Sequence, residues 1–224
     1  AALKDDGSVV TWGDNETGGD SSSVSSQLSS EVTEIFSNEF SFAALKNDGS
    51  VVTWGHNTNG GDSSSVASIL SSEVVKIFST GKAFAALKDD GSVVTWGSNN
   101  DGGNSSSVAS DLSSGVTEIF STYWAFAALK DDGSVVTWGD NERGGDSSSV
   151  ASDLSIGVTE IFSNRNSFAA LKDDGSVVTW GDNERGGDSS SVSSQLSSGV
   201  TEIFSTYWAF AALKDDGSVV TWGD

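Results

Sequence analysis

A 14-residue segment, AALKDDGSVVTWGD, opens the chain at Ala1–Asp14 and closes it at Ala211–Asp224. It returns nearly unchanged from Ala43, Ala85, Ala127 and Ala169, each start 42 residues after the last. Five periods and a terminal partial repeat (211–224) account for all 224 residues, so residues 1–224 read as a single repeat array. A unit this short cannot bury its own apolar face well and must pack on its copies, which makes the array one cooperative body.

The recurring segment reads as a β-hairpin. Ala43-Ala44-Leu45-Lys46 leads into Asn47-Asp48-Gly49, and Ser50-Val51-Val52-Thr53-Trp54 leads out. A Gly between two β-prone runs supplies the positive φ of a tight turn without strain, and Val, Thr and Trp suit a pleated surface. The Trp recurs at 12, 54, 96, 138, 180 and 222. Each indole can bury ~200 Å², about 5 kcal/mol of gross hydrophobic stabilisation, which predicts core positions.

One period can be followed from Gly115. Val116–Phe120 is a strand candidate, Ser121–Trp124 a loop, Phe126–Lys130 a second strand, and Ser134–Trp138 a third beyond the Asp-Gly turn. Gly139–Asp146 is a Gly-rich polar loop. The Ser-rich remainder, Ser147–Leu154, admits two readings. Asp146 could cap a short helix that ends at Gly157, with Val150 and Leu154 on one face. The same four-residue spacing also suits one face of an outer strand.

The net charge of −21 repels phosphate backbones and anionic membranes. No nucleic-acid partner is expected, and no apolar run reaches membrane length. The chain has no Cys, so disulfides and thiolate metal sites are out of reach. A chain that begins inside a strand, without Met, suggests a piece of a longer array.

Val116-Thr117-Glu118-Ile119-Phe120-Ser121 followed by Phe126-Ala127-Ala128-Leu129-Lys130-Asp131-Asp132-Gly133-Ser134-Val135-Val136-Thr137-Trp138-Gly139-Asp140-Asn141 resembles the repeat of the regulator of chromosome condensation family. The resemblance implies an all-β protein of β-propeller-like, four-stranded blades. A Ser-rich stretch here replaces the family's usual outer strand, so each blade would carry a short Ser-rich helix or an outer strand. Strand counting leaves a second architecture open, an open superhelical stack of the same units. The family's best-known activity, nucleotide exchange on a small GTPase at chromatin, does not carry over, because no matching site residues are found.

The near-identical units differ mainly in two loops. After the first strand come Glu39-Phe40, Gly81-Lys82, Tyr123-Trp124, Arg165-Asn166 and Tyr207-Trp208. After the Trp strand, His56, Arg143 and Arg185 mark the variable runs. In up-and-down strands both loops fall at one end and the Asp-Gly turns at the other. Loops on a rigid scaffold commonly bind, and Tyr-Trp pairs suit contact anchors. The candidate partner-binding residues are therefore Glu39, Phe40, Lys82, Tyr123, Trp124, Arg165, Asn166, Tyr207, Trp208, His56, Arg143 and Arg185.

No catalytic constellation is expected. His56 is the only His, and the many Ser lack a matched base. Asp140-Asn141-Glu142 with Asp146 sets hard oxygens around two glycines, a composition that calcium could use, although Asp146 as a helix cap accounts for it without metal. The expectation is a non-enzymatic scaffold without cofactor, at the cell surface or outside the cell. Its variable face would bind a protein or glycan, or the units would stack with copies of themselves into a fibre.

Overall fold

A computed structural model describes residues 1–224. The chain forms two compact units, Ala1–Ser114 and Gly115–Asp224. The first unit holds a two-stranded hairpin, β1 (Ala2–Leu3) and β2 (Val9–Val10). Two three-stranded sheets follow it: β3 (Val32–Ser37), β4 (Ser41–Lys46) and β5 (Val51–Gly55), then β6 (Val74–Ser79), β7 (Ala83–Lys88) and β8 (Val93–Gly97). The second unit holds three such sheets: β9 (Val116–Ser121), β10 (Ala125–Lys130) and β11 (Val135–Gly139); β12 (Val158–Ser163), β13 (Ser167–Lys172) and β14 (Val177–Gly181); β15 (Val200–Ser205), β16 (Ala209–Lys214) and β17 (Val219–Gly223). All are antiparallel, with the central strand second in sequence. The chain is all-β, as the repeat pattern indicates.

The hairpin turn follows its local chemistry. Lys46 N donates to Ser50 O, Gly49 N returns to Lys46 O, and Gly49 stands at φ +75°. Asp48 Oδ1 accepts from both the backbone N and the hydroxyl of Ser50, at 2.9 and 2.6 Å, which fixes the exit from the turn. On the other side of the central strand the register slips between Leu129 and Lys130, and Thr117 Oγ1 donates across the bulge to Leu129 O.

The Ser-rich segment is a 3-10 turn, Ser148–Val150, followed by a second turn in which Val150 O accepts from the N–H groups of Asp153 and Leu154. Of the two readings it is the short helix, of 3-10 type, and not an outer strand, so each complete sheet has three strands where the resemblance implied four. The N-cap position is Ser147, and Asp146, one residue earlier, accepts Ser148 N at 2.8 Å. Gly157 does not end the turn. It sits at φ +82° just before β12, and its carbonyl accepts from Asp173 N. Leu154 is buried, and its carbonyl receives Val135 N at 3.0 Å, satisfying the edge of β11 where a fourth strand would have paired.

Within each unit, sheets face one another through alternate residues of the central strand. In the second unit Ala125, Ala127 and Leu129 of β10 pack against Phe168, Ala170 and Trp180 of the next sheet, with Leu154, Val158 and Ile161 closing the cluster. Ala169 and Leu171, on the opposite face of β13, meet Phe210, Ala212 and Trp222. A strand buried on both faces reads as a continuous apolar run. Its paired alanines let neighbouring backbones approach where larger side chains would not fit.

Main-chain bonds at the turn end add to this packing. Val158 N donates to Gly133 O, and Val200 N to Gly175 O, each at 3.0 Å. Trp54, Trp96, Trp138, Trp180 and Trp222 are buried as expected. Trp12 departs from that expectation: it is 64% exposed. Trp54, Trp96, Trp180 and Trp222 each donate to a glycine carbonyl 36 residues earlier.

Candidate functional site

The site is assembled by the loop after each first strand and the loop after each Trp strand, and the structure sets both at one end of the sheets. A small polar residue opens every first loop: Asn38, Thr80, Thr122, Asn164 and Thr206. Asn164 Oδ1 accepts the N–H groups of Asn166 and Ser167, and its Nδ2 donates to Arg185 O at 2.7 Å. Thr122 Oγ1 accepts Ala125 N and donates to Arg143 O at 3.2 Å. Asn38 and Thr80 do the same with Asn59 O and Asp101 O. These latches hold the two variable loops together. They were not singled out from the sequence, although a constant Asn-or-Thr position between variable ones was a readable signal.

The two glycines of the third-strand loop are set by packing. Gly144, at φ +105°, lies on Phe168, and a Cβ there would come within 2.6 Å of the ring. Phe168 and Trp180 are cross-strand partners and stack at 5.2 Å, and the indole N–H of Trp180 donates to Gly144 O. A Cβ on Gly145 would meet the Gly139 carbonyl at 2.5 Å.

The oxygens considered for calcium are engaged. Asp140 accepts Glu142 N and pairs with Arg143 at 2.9 Å, and Asp146 holds its own turn. The Ser148 backbone N–H and hydroxyl keep the Asp146 carboxyl below its ordinary pKa. No group of three or more acidic or His side chains converges on a metal-sized space.

In the first unit the variable residues meet through backbone and ring contacts. Glu39 is exposed and its backbone N donates to Gly81 O at 3.3 Å. Phe40 is half-buried and meets His56 edge-on at 6.2 Å. His56 Nδ1 lies 3.3 Å from the Thr58 hydroxyl. Lys82 is half-buried beside Gly81.

In the second unit they form a row. Tyr123 N donates to Arg165 O at 3.0 Å, and Arg165 N to Tyr207 O at 3.4 Å, so backbone bonds align three successive first loops. The Arg165 guanidinium then lies between two rings, 4.1 Å from the Tyr123 centroid and 5.1 Å from that of Tyr207. Each Tyr meets its neighbouring Trp edge-on, at 4.7 Å for Tyr123–Trp124 and 5.3 Å for Tyr207–Trp208. Arg143 covers Trp124 at 4.8 Å and Arg185 covers Trp208 at 5.9 Å. Arg185 also pairs with Asp182.

Tyr207 and Trp208 are 55% and 48% exposed, whereas Tyr123 and Trp124 are half-buried. Asn166 corrects the expectation of an exposed binding residue. It is 6% exposed, its N–H donates to Asn164 Oδ1, and its carbonyl accepts from Asp182 N. Beside the row, Glu142, Arg143, Gly181, Asp182 and Asn183 line a shallow polar hollow of about 310 Å³.

Residues 158–186 match the Regulator of chromosome condensation (RCC1) repeat. No curated protein sequence matches the chain significantly. Among solved structures, human WBSCR16 is similar with a TM-score of 0.54 and 18% identity, over 86% of this chain and 61% of that one. Prp20p from Saccharomyces cerevisiae, described with its binding properties to Gsp1p and histones, is similar with a TM-score of 0.52 and 18% identity, over 86% of this chain and 57% of that one. The chain therefore spans less than two thirds of the length of these structures. At this identity the likeness establishes the fold: repeated antiparallel sheets of the β-propeller-like kind.

Proposed function

We propose that this array of regulator of chromosome condensation repeats is a non-enzymatic recognition scaffold, and that the rim carrying Tyr123, Trp124, Arg143, Arg165, Arg185, Tyr207 and Trp208 captures a protein partner. The observation that carries this reading is the Tyr123–Arg165–Tyr207 stack, held by backbone bonds on rigid sheets. Aromatic and Arg side chains with few free rotamers are the residues that contribute most at protein interfaces. A protein is favoured over a glycan because guanidinium groups interleave with the rings, leaving exposed flat faces mainly at Tyr207 and Trp208. A cell-surface or extracellular setting belongs to the same proposal and rests on the acidity of the chain.

Peptide display on the immobilised chain tests this, with Tyr207→Ala/Trp208→Ala as the counter-screen. Ligands kept by the parent and lost by the variant, at unchanged melting temperature, support the rim. Ligands retained equally by both place recognition elsewhere and overturn it. A purely structural role draws on a different observation, the identical inter-sheet bonds from Trp to Gly within each unit. That role predicts light-scattering mass that rises with concentration and is indifferent to the same rim substitutions.

A further inference from the structure

Resting on that reading, we infer that Arg165 is the specificity anchor of the rim and takes a single carboxylate from a partner peptide whose flanking residues are apolar. The three rim arginines are not equivalent. Arg143 is neutralised by Asp140 and Arg185 by Asp182. Arg165 has no carboxylate of this chain as partner, in a protein of net charge −21.

Its guanidinium carbon lies over the Tyr123 ring at 4.1 Å and over the Tyr207 ring at 5.1 Å. Ring contacts satisfy the faces of a guanidinium but none of its N–H donors, which lie in its plane. The planar edge is therefore the unsatisfied part of the group, and its fork matches the two oxygens of a carboxylate. The stack and the backbone bonds on either side of Arg165 hold this fork before any partner arrives, which lowers the ordering cost of binding.

The surroundings choose among anions. Glu142 and Glu184 are exposed in the neighbouring loops, and Asp140 and Asp182 already face the other two arginines. A doubly charged phosphate would meet this negative field with twice the repulsion of a carboxylate. Tyr207 and Trp208, both about half exposed, offer apolar contact directly beside the fork. A polyacidic tract fits this environment poorly, and one acid set between apolar side chains fits it well.

The test uses the isotopically labelled full chain and three capped tripeptides, acetyl-Leu-Asp-Leu-amide and its Asn and phosphoserine counterparts. The readouts are the Arg165 Nε–H and Trp208 indole N–H resonances. The Asp peptide is expected to shift both signals saturably, and the Asn peptide to bind roughly tenfold more weakly, the loss expected for one charged hydrogen-bonded contact. The phosphoserine peptide should bind no more tightly than the Asp peptide.

Arg165→Lys should weaken the Asp peptide about tenfold, since an ammonium lacks the fork. Lys172→Gln, which removes a positive charge at the turn end where Arg165→Lys keeps one at the rim, should leave it unaltered. Equal shifts of Trp208 by the Asp and Asn peptides would overturn the carboxylate assignment while leaving the rim as a binding surface. Tighter phosphoserine binding would overturn the choice of a single charge. Silence of Trp208 with every peptide would overturn this inference and remove support from the recognition reading together. The comparison of peptides needs only the parent chain, so a poorly folded Arg165 variant leaves the test intact.

Discussion

The indole nitrogen of Trp180 donates a hydrogen bond of 3.1 Å to the carbonyl of Gly144, a residue 36 positions earlier in the neighbouring repeat. The pair joins the core of one sheet to the loop that leaves the preceding sheet, so it links fold stability to rim geometry. Trp180→Phe retains most of the ring stack on Phe168 but strands the Gly144 carbonyl. Urea unfolding should show a loss of about 1–3 kcal/mol. Trp12→Phe, at an exposed indole, should change stability by less than about 0.5 kcal/mol. Equal losses at both positions would refute the account.

Gly144→Ala tests the other half of that contact. The added methyl would approach Phe168 to 2.6 Å on a backbone at φ +105°, so strain and overpacking act together. Thermal unfolding should register a loss of roughly 2 kcal/mol or more. Rescue by Phe168→Leu, measured as a double-mutant cycle, would assign the steric share.

Two repeats place Glu where three place Gly. Glu31 and Glu73 stand at φ +67°, at the positions filled by Gly115, Gly157 and Gly199. Relieving that backbone strain is worth about 1 kcal/mol. Against it stands the Glu73–Lys88 pair at 3.0 Å, whose acid is more than half exposed and which contributes ~0.2–1 kcal/mol. Glu73→Gly should therefore raise stability by roughly 0.5 kcal/mol at moderate salt, and by more as salt screens the pair. A net loss that persists in high salt would show that the backbone carries no strain there.

The turn aspartates have a predictable acid response. The Ser134 hydroxyl, then its backbone N–H, hold the Asp132 carboxyl below the ordinary value of 3.8. Asp6, Asp48, Asp90, Asp174 and Asp216 share the arrangement. A folded pKa below the unfolded one gives stability that is fully present above the unfolded value and is lost as pH falls through the folded value. Melting temperature should be flat above about pH 5 and decline below about pH 4. Carboxyl NMR titration of Asp132 should give a midpoint below 3.8, and Ser134→Ala should raise it. A midpoint unmoved by Ser134→Ala would show that the hydroxyl is not the cause.

Much of this architecture was legible because each repeat states it again. The strand limits follow from Val-Thr-Trp runs bounded by glycines, and the shared end of the two variable loops follows from strand direction alone. The Ser-rich segment was not legible, because Val150 and Leu154 fit either a helical or an extended face and Asp146 decides only the local turn. The packing roles of Gly144 and Gly145 were not legible, because they rest on Phe168 and on the Gly139 carbonyl, contacts that only the folded repeat brings together. Asn166 was a binding candidate because it occupies a variable loop position. It is buried because the latch at Asn164 turns that loop inward. The interleaving of Tyr123, Arg165 and Tyr207 depends on equivalent residues of successive repeats becoming neighbours, which a fixed period permits but which only packing in register establishes.

The bonds from Tyr123 N to Arg165 O and from Arg165 N to Tyr207 O use only peptide groups. Alignment of these loops is thus independent of which side chains they display. Codons 123, 165 and 207 could be randomised together to yield a library of surfaces sharing one frame, while codon 164 would have to be left as Asn, whose side chain ties that loop to the next.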